Sequence, residues 1–367
     1  MRVFRLSGND IVAVDTLSGL GDPLAGSFAW VACTREELQA NLSALQATLH
    51  QWGGAPLVDL HVSDLLNRQL PSRYDYTAQY DILVFRRLAA SLGGTDTVPL
   101  VSASTRSGPP ILRRVDTSPV GFVSMEKILL SVHPGDCGVR DAYADKLLQS
   151  SANDPRSAGA RLPTSPPDLM LRIVNTMVDG FLELRRELNH QLDHWQVELL
   201  NPRSRFNNWG ALLDARLSLH QLDEVCEDQR CAIQDWTEAL KTWPDATAPA
   251  LSREHDLLQV RSRDVLEHIE RVLHHVRRLE QSVETAVQMH FSAQSNRTND
   301  IMRTLTALTA VFLPLNLIAG IFGMNFDAIP LLHSASGFWW AMGAMSLIAA
   351  VLIGLFWRKR YIARTDR

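Results

Sequence analysis

Residues Leu305–Met324 read LTALTAVFLPLNLIAGIFGM, twenty positions without one charged side chain. As a helix this stretch is about 30 Å long, enough to cross the hydrocarbon core of a bilayer. A second run, Gly337–Phe356, reads GFWWAMGAMSLIAAVLIGLF. Trp339 and Trp340 at one end and Trp357 at the other match the aromatic belts of the two membrane interfaces. Arg297 and Arg303 precede the first run, and Arg358-Lys359-Arg360, Arg364 and Arg367 follow the second. The connection between the runs holds no Lys or Arg. The positive-inside rule therefore predicts an in–out–in topology, with both termini cytoplasmic and only the short loop facing outward. Two helices enclose nothing, so conduction by such a chain requires oligomerisation.

The first run carries a pattern of its own. Thr309, Asn316 and Gly320 share one helical face, which continues toward the cytoplasm through Leu313, Leu305, Met302 and Asn299. Polar side chains are costly in hydrocarbon, so the stripe predicts contact with protein or water. A helix–helix seam bonded through Asn316 and a water-filled pathway both satisfy that requirement. The second run has no comparable stripe and reads as the outer, lipid-facing helix.

The whole chain has a net charge of -4 and a mean hydropathy of -0.06, an average that hides a polar remainder outside these two runs. No basic cluster interleaved with aromatics points to nucleic acid. The amino terminus, MRVFRLSGNDIVAVD, lacks the apolar run of a secretory signal. Cys33, Cys137, Cys226 and Cys231 have neither metal-knuckle nor redox-pair spacing, and read as reduced thiols. No nucleophile–base set suggests an enzyme, and no Gly-rich phosphate loop suggests a nucleotide site. No cofactor is expected.

The segments MRVFRL, FAWVAC, LVDLH, DILVFRRL, VGFVSM and KILLSVH predict strands. They alternate with helical stretches such as Glu36–Trp52, so residues 1–150 read as an α/β domain. Residues 151–167, rich in Ser, Ala and Pro, read as a linker. Residues 168–245 predict a helical hairpin turning near Asn201–Arg205. From 246 to 304 the positions Val265, Ile269, Val272, Val276, Leu279, Val283 and Val287 step by fours and threes, close to a heptad seam. No Gly or Pro occurs from Leu251 to Pro314. This stalk and the first membrane helix (305–324) therefore predict one helix of about 70 residues, about 105 Å long. A loop (325–336), a second membrane helix (337–356) and a basic cytoplasmic tail (357–367) complete an α+β protein with a membrane anchor.

The segment SNRTNDIMRTLTALTAVFLPLNLIAGIFGMNF, with Gly323-Met324-Asn325 closing the membrane run, resembles the CorA family of divalent metal cation transporters. The likeness continues through RDVLEH (Arg263–His268) and TMVDGFLELRRELN (Thr176–Asn189), and more faintly through SDLLN (Ser63–Asn67). It implies a funnel-shaped homopentamer in the inner membrane, with the first membrane helix of each copy lining a magnesium and cobalt channel. Carried over by position, the pore face is Asn299, Met302, Leu305, Thr309, Leu313, Asn316, Gly320 and Asn325. Gly323, Met324 and Asn325 are then the outer filter, where amide oxygens hydrogen-bond a hydrated ion. Met302, Leu305 and Leu313 form a hydrophobic gate. Asp64 and Asp264 stand where the family binds regulatory divalent cations between neighbouring copies.

Some features depart from the magnesium pattern. Asp327 is the loop's only acid, and Pro330 is followed by Leu331-Leu332 rather than a glutamate. The stretch IPLLHSASGFWW is similar to the zinc-moving ZntB branch. His333 in the loop, with His268, His274, His275 and His290 on the stalk, offers ligands for a softer cation. Met324 is the magnesium-type choice. A membrane-anchored coiled-coil sensor that conducts nothing shares the same stalk and anchors.

Overall fold

The computed structural model describes residues 1–8, 10–24, 26–88, 101–102, 111–112, 116–135, 137–152, 162–200, 209–243, 249–324 and 336–358. The chain divides into two compact units, Met1–Glu284 and Thr285–Arg367.

The first unit begins with β1 (Arg2–Ser7), β2 (Asp10–Val14) and β3 (Ser27–Thr34). Helices α1 (Arg35–Ala40), α2 (Leu42–Gly53) and α3 (Asp59–Leu66) follow, then β4 (Arg73–Tyr76) and β5 (Asp81–Leu88). A two-stranded pair, β6 (Val101–Ser102) and β7 (Ile111–Leu112), precedes β8 (Thr117–Ser124) and β9 (Ile128–His133). The main sheet has seven strands in the order β2-β1-β3-β9-β8-β5-β4. Among the described residues only β3 and β9 pair in parallel, with Trp30 opposite Leu129 and Thr34 opposite His133.

Both faces of this sheet are covered, which explains why β3 reads FAWVAC with no polar alternation. Phe4, Leu6, Trp30, Phe85, Phe122 and Leu129 enter one core. Their alternates Val3, Val31, Cys33, Ile82, Val123 and Leu130 enter the other, together with Leu38, Leu49, Trp52 and Leu65 of the first three helices. Leu65 sits so close to the sheet that a Cβ at Gly121 would lie 2.2 Å from its Cδ2. Gly121 thus sets how near α3 approaches.

Two expected elements differ. LVDLH forms no strand: α3 begins at Asp59, because Val62 and Leu65 recur at helical spacing and an acid in the first turn favours a helix start. The helical stretch Glu36–Trp52 is two helices broken at Asn41, whose backbone leaves the helical region. The capping box at Thr34, completed by Glu37, starts the first of them.

After β9 come α4 (Gly138–Ala152), α5 (Pro166–Leu200), α6 (Trp209–Lys241) and α7 (Pro249–Phe322). The turn expected at Asn201–Arg205 and most of the linker lie outside the described residues. Two prolines open α5, where a missing N–H costs nothing. Its Asp168 amide donates to the Ser165 hydroxyl at 3.4 Å. The N-terminal half of α5, with α6 and α7, completes the first core through Val174, Val178, Ile233, Trp236, Leu258, Val265 and Ile269. The Trp236 indole donates to the Ser262 hydroxyl at 3.0 Å, and Arg277 pairs with Asp223 at 2.9 Å, so α6 and α7 are tied at several points along their length.

Helix α7 is continuous over 74 residues, about 110 Å. The unit boundary falls inside it. In the heptad seam Val265 to Val283 are buried. From Phe291 to Thr306 every residue is exposed. The second unit contains the rest of α7 and α8 (Gly337–Arg358). Helices α7 and α8 are long and apolar enough to cross a membrane.

Candidate ion pathway and cation-binding carboxylates

Along the membrane stretch of α7, Ala307 is buried, while Ala310, Val311, Pro314, Leu315, Ile318 and Phe322 are partly shielded. They share one face. On α8 the partly shielded residues Ala341, Met345, Ile348, Leu352 and Phe356 share another. One-sided shielding of this kind marks the face a helix turns to its neighbours. At 3.6 residues per turn, the stripe through Asn299, Met302, Leu305, Thr309, Leu313, Asn316 and Gly320 centres about 180° from the shielded face of α7. All seven are exposed in the protomer. The stripe lies away from the shielded face of α7.

Local backbone chemistry shapes this stretch of α7. Pro314 lies inside the helix, on the shielded side, and its ring nitrogen cannot donate to the Ala310 carbonyl. Thr306 and Thr309 turn their hydroxyls back to the carbonyls of Met302 and Leu305, at 2.8 and 2.9 Å. That arrangement spends the hydroxyl protons on the helix and leaves the oxygens as acceptors toward the exposed side. The end of α7 tightens: the Gly323 amide donates to Ala319 at 3.0 Å, and the Met324 amide to Ile321 at 3.3 Å. Gly323 and Met324 are exposed; Asn325, Asp327 and His333 lie outside the described residues. At the start of α8, Phe338, Trp339 and Trp340 are exposed as an aromatic cluster suited to a membrane interface. Of the basic tail, only Trp357 and Arg358 are among the described residues.

The two carboxylates read from SDLLN and RDVLEH have different surroundings. Asp64, in the last turn of α3, has a side chain 13% exposed and lies 3.2 Å from an Arg73 guanidinium nitrogen. Asp264, on α7, is 58% exposed and lies 3.7 Å from His268 Nε2. The other ring nitrogen of His268 is 4.0 Å from Asp179 of α5. Asp179, Asp264, Asn175 and Thr176 line a cavity of about 210 Å³ between α4, α5 and α7. The Asn175 side-chain oxygen is buried there without a hydrogen bond. Asp179 stands inside TMVDGFLELRRELN, yet helical periodicity gives no sign that it meets the stalk; only the α5–α7 packing brings it there. Among the described residues no three His, Cys, Asp or Glu side chains converge as they would around a metal in one protomer.

A two-sided sheet domain, a helix running unbroken into an apolar span, and a second apolar helix define an integral membrane protein with its anchor at the carboxyl end. The profile of the family described as "CorA-like Mg2+ transporter protein" matches residues 25–360, and the chain belongs to that family. It is 25% identical over 194 residues to the cobalt/magnesium transport protein CorA of Thermotoga maritima, covering 53% of this chain and 52% of that protein. It thus spans about half the length of that relative. The putative metal ion transporter YfjQ of Bacillus subtilis is 26% identical over 254 residues, 66% of this chain and 69% of that one. The magnesium transport protein CorA of Haemophilus influenzae is 32% identical over 193 residues, 53% and 58% of the two chains. The fold matches the complete structure of the CorA magnesium transporter from Methanocaldococcus jannaschii with a TM-score of 0.71, at 16% identity over 98% of both chains. It matches full-length CmaX with a TM-score of 0.67, at 17% identity over 98% of this chain and 97% of that one.

Proposed function

We propose that copies of this chain assemble, as a homopentamer, around the exposed stripe of α7 and conduct magnesium and cobalt into the cell. The observation that carries this reading is the exposure of Thr309, Asn316 and Gly320 on the face of α7 opposite its shielded residues. Polar groups there need a polar neighbour, and a water-filled axis shared by several copies supplies one. The run of exposed residues from Phe291 to Thr306 is likewise accounted for if copies surround one another along the stalk.

In this reading Gly323, Met324 and Asn325 ring the outer mouth. Their carbonyl and carboxamide oxygens receive a magnesium ion that keeps much of its tightly held water. Asn316 and Thr309 offer further oxygens along the axis, and Met302, Leu305 and Leu313 close it by dewetting. Both termini face the cytoplasm, where the membrane potential draws cations inward with about 2.3 kcal/mol per charge per 100 mV. Asp64 of one copy and Asp264 of the next bind an internal divalent cation that holds the closed state.

The test is uptake into proteoliposomes of the purified full-length chain. Magnesium and cobalt should enter when an inside-negative potential is imposed, and Asn316→Leu should cut both about tenfold or more. Zinc uptake driven by a pH gradient, without magnesium uptake, would place the chain with the zinc transporters instead. No divalent uptake under any gradient would leave a membrane-anchored sensor.

A further inference from the structure

We propose that Arg73 is the resident counter-cation of Asp64, and that a divalent cation reaches Asp64 only by displacing it. The inference rests on the reading of Asp64 as a regulatory ligand.

The network around Asp64 is closed on one side and open on the other. Arg73 Nη2 lies 3.2 Å from Asp64 Oδ2 and 3.4 Å from Asp75 Oδ2, so one guanidinium serves two carboxylates. Asp75 has a second neighbour, His61 Nε2, at 3.5 Å. His61 Nδ1 meets the Tyr80 hydroxyl at 2.8 Å, and that hydroxyl accepts the Val58 amide at 3.1 Å. Every group on the Asp75 side therefore has a hydrogen-bonding or charged partner. Asp64 Oδ2 does not complete the pattern: it is buried and makes no hydrogen bond, and Arg73 holds it by charge alone. A buried carboxylate oxygen with free lone pairs is what a hard divalent cation seeks.

Two carboxylates against one guanidinium leave a deficit of one positive charge. An arriving divalent cation takes Asp64, and Arg73 retreats to Asp75, where the bond is already half made. Arg73 then sets the cation concentration at which Asp64 fills, and Asp75 sets how readily Arg73 lets go.

The experiment uses the full-length chain in detergent with magnesium alone, following protection of the cytoplasmic part from limited proteolysis. Arg73→Gln should lower the magnesium midpoint about two- to five-fold, the factor a partly exposed ion pair commands. Asp75→Asn, which leaves Arg73 wholly to Asp64, should raise it. Because the two variants move the midpoint in opposite directions, general loosening of α3 cannot mimic the result. If neither variant moves the midpoint while Asp64→Asn raises it, Asp64 is a ligand and the displacement idea is wrong. If Asp64→Asn also leaves the midpoint unchanged, Asp64 is no ligand, and the regulatory reading fails along with the inference.

Discussion

Asp168, shielded completely from solvent near the start of α5, is ion-paired with Arg261 of α7. Arg172, one turn along α5, approaches the same carboxylate at 3.1 Å, and the Thr164 amide donates to it at 3.1 Å. The pair fixes the long helix to the sheet domain at one point, directly beside the cavity that Asp264 lines.

Breaking a buried pair by removing one partner strands the other charge. Asp168→Ala should destabilise the sheet domain by about 3 kcal/mol. Denaturant unfolding of the full-length protein in detergent checks this. A loss below about 1 kcal/mol, the range of a surface pair, would mean that the clamp holds nothing.

His133 has no solvent exposure; it contacts the Ser131 hydroxyl at 2.9 Å and Cys137 Sγ at 3.2 Å. Trp30 donates to the same hydroxyl at 2.8 Å. Burial pushes the imidazole down to about 3, with Arg140, Arg87 and Arg35 adding positive charge nearby. The folded state refuses a proton that the unfolded chain takes near 6.5, so this contribution to stability is present above that pH. It is lost as pH falls from about 6.5 toward 3. Stability should drop with a slope approaching about 1.4 kcal/mol per pH unit, and His133→Gln should flatten it. Melting temperatures between pH 6.5 and 5 read the difference, and equal slopes for both proteins would contradict it.

Leu305 and Leu313 carry the proposed gate as bulky apolar rings. Leu305→Ser and Leu313→Ser should each let water remain in the closed axis and raise magnesium leak at high internal magnesium. Flux measured with internal magnesium fixed is the readout; unchanged leak in both variants argues against a hydrophobic gate on this face.

Asn316 and Leu are close in size, so Asn316→Leu removes polarity with little change of volume. Magnesium flux should fall about tenfold or more, the factor attached to losing one ion–carboxamide contact. The oligomer, checked by size-exclusion chromatography, should persist. A variant that conducts normally would place Asn316 away from the ion.

Much of the fold was legible because its signals are local. Twenty uncharged positions from Leu305 to Met324, and the absence of Gly or Pro from Leu251 to Pro314, suffice to expect a long helix entering a membrane. The short apolar run of β3 and the 3.6 period of α7 need no knowledge of their neighbours. LVDLH misled because Leu57, Val58 and Leu60 in so short a segment fit a strand and the start of a helix equally well. The stripe through Asn316 was likewise legible as a stripe.

What it faces is another matter, since a seam with α8 and an open face have the same sequence pattern. The tertiary structure decided this, by spending Val311, Leu315 and Ile318 on the shielded side and leaving Thr309 and Asn316 opposite. It also decided that Asp64 meets Arg73 and that Asp264 lies beside Asp179. These are contacts between residues far apart in the chain, set by how helices and strands pack, and periodicity within one element carries no record of them.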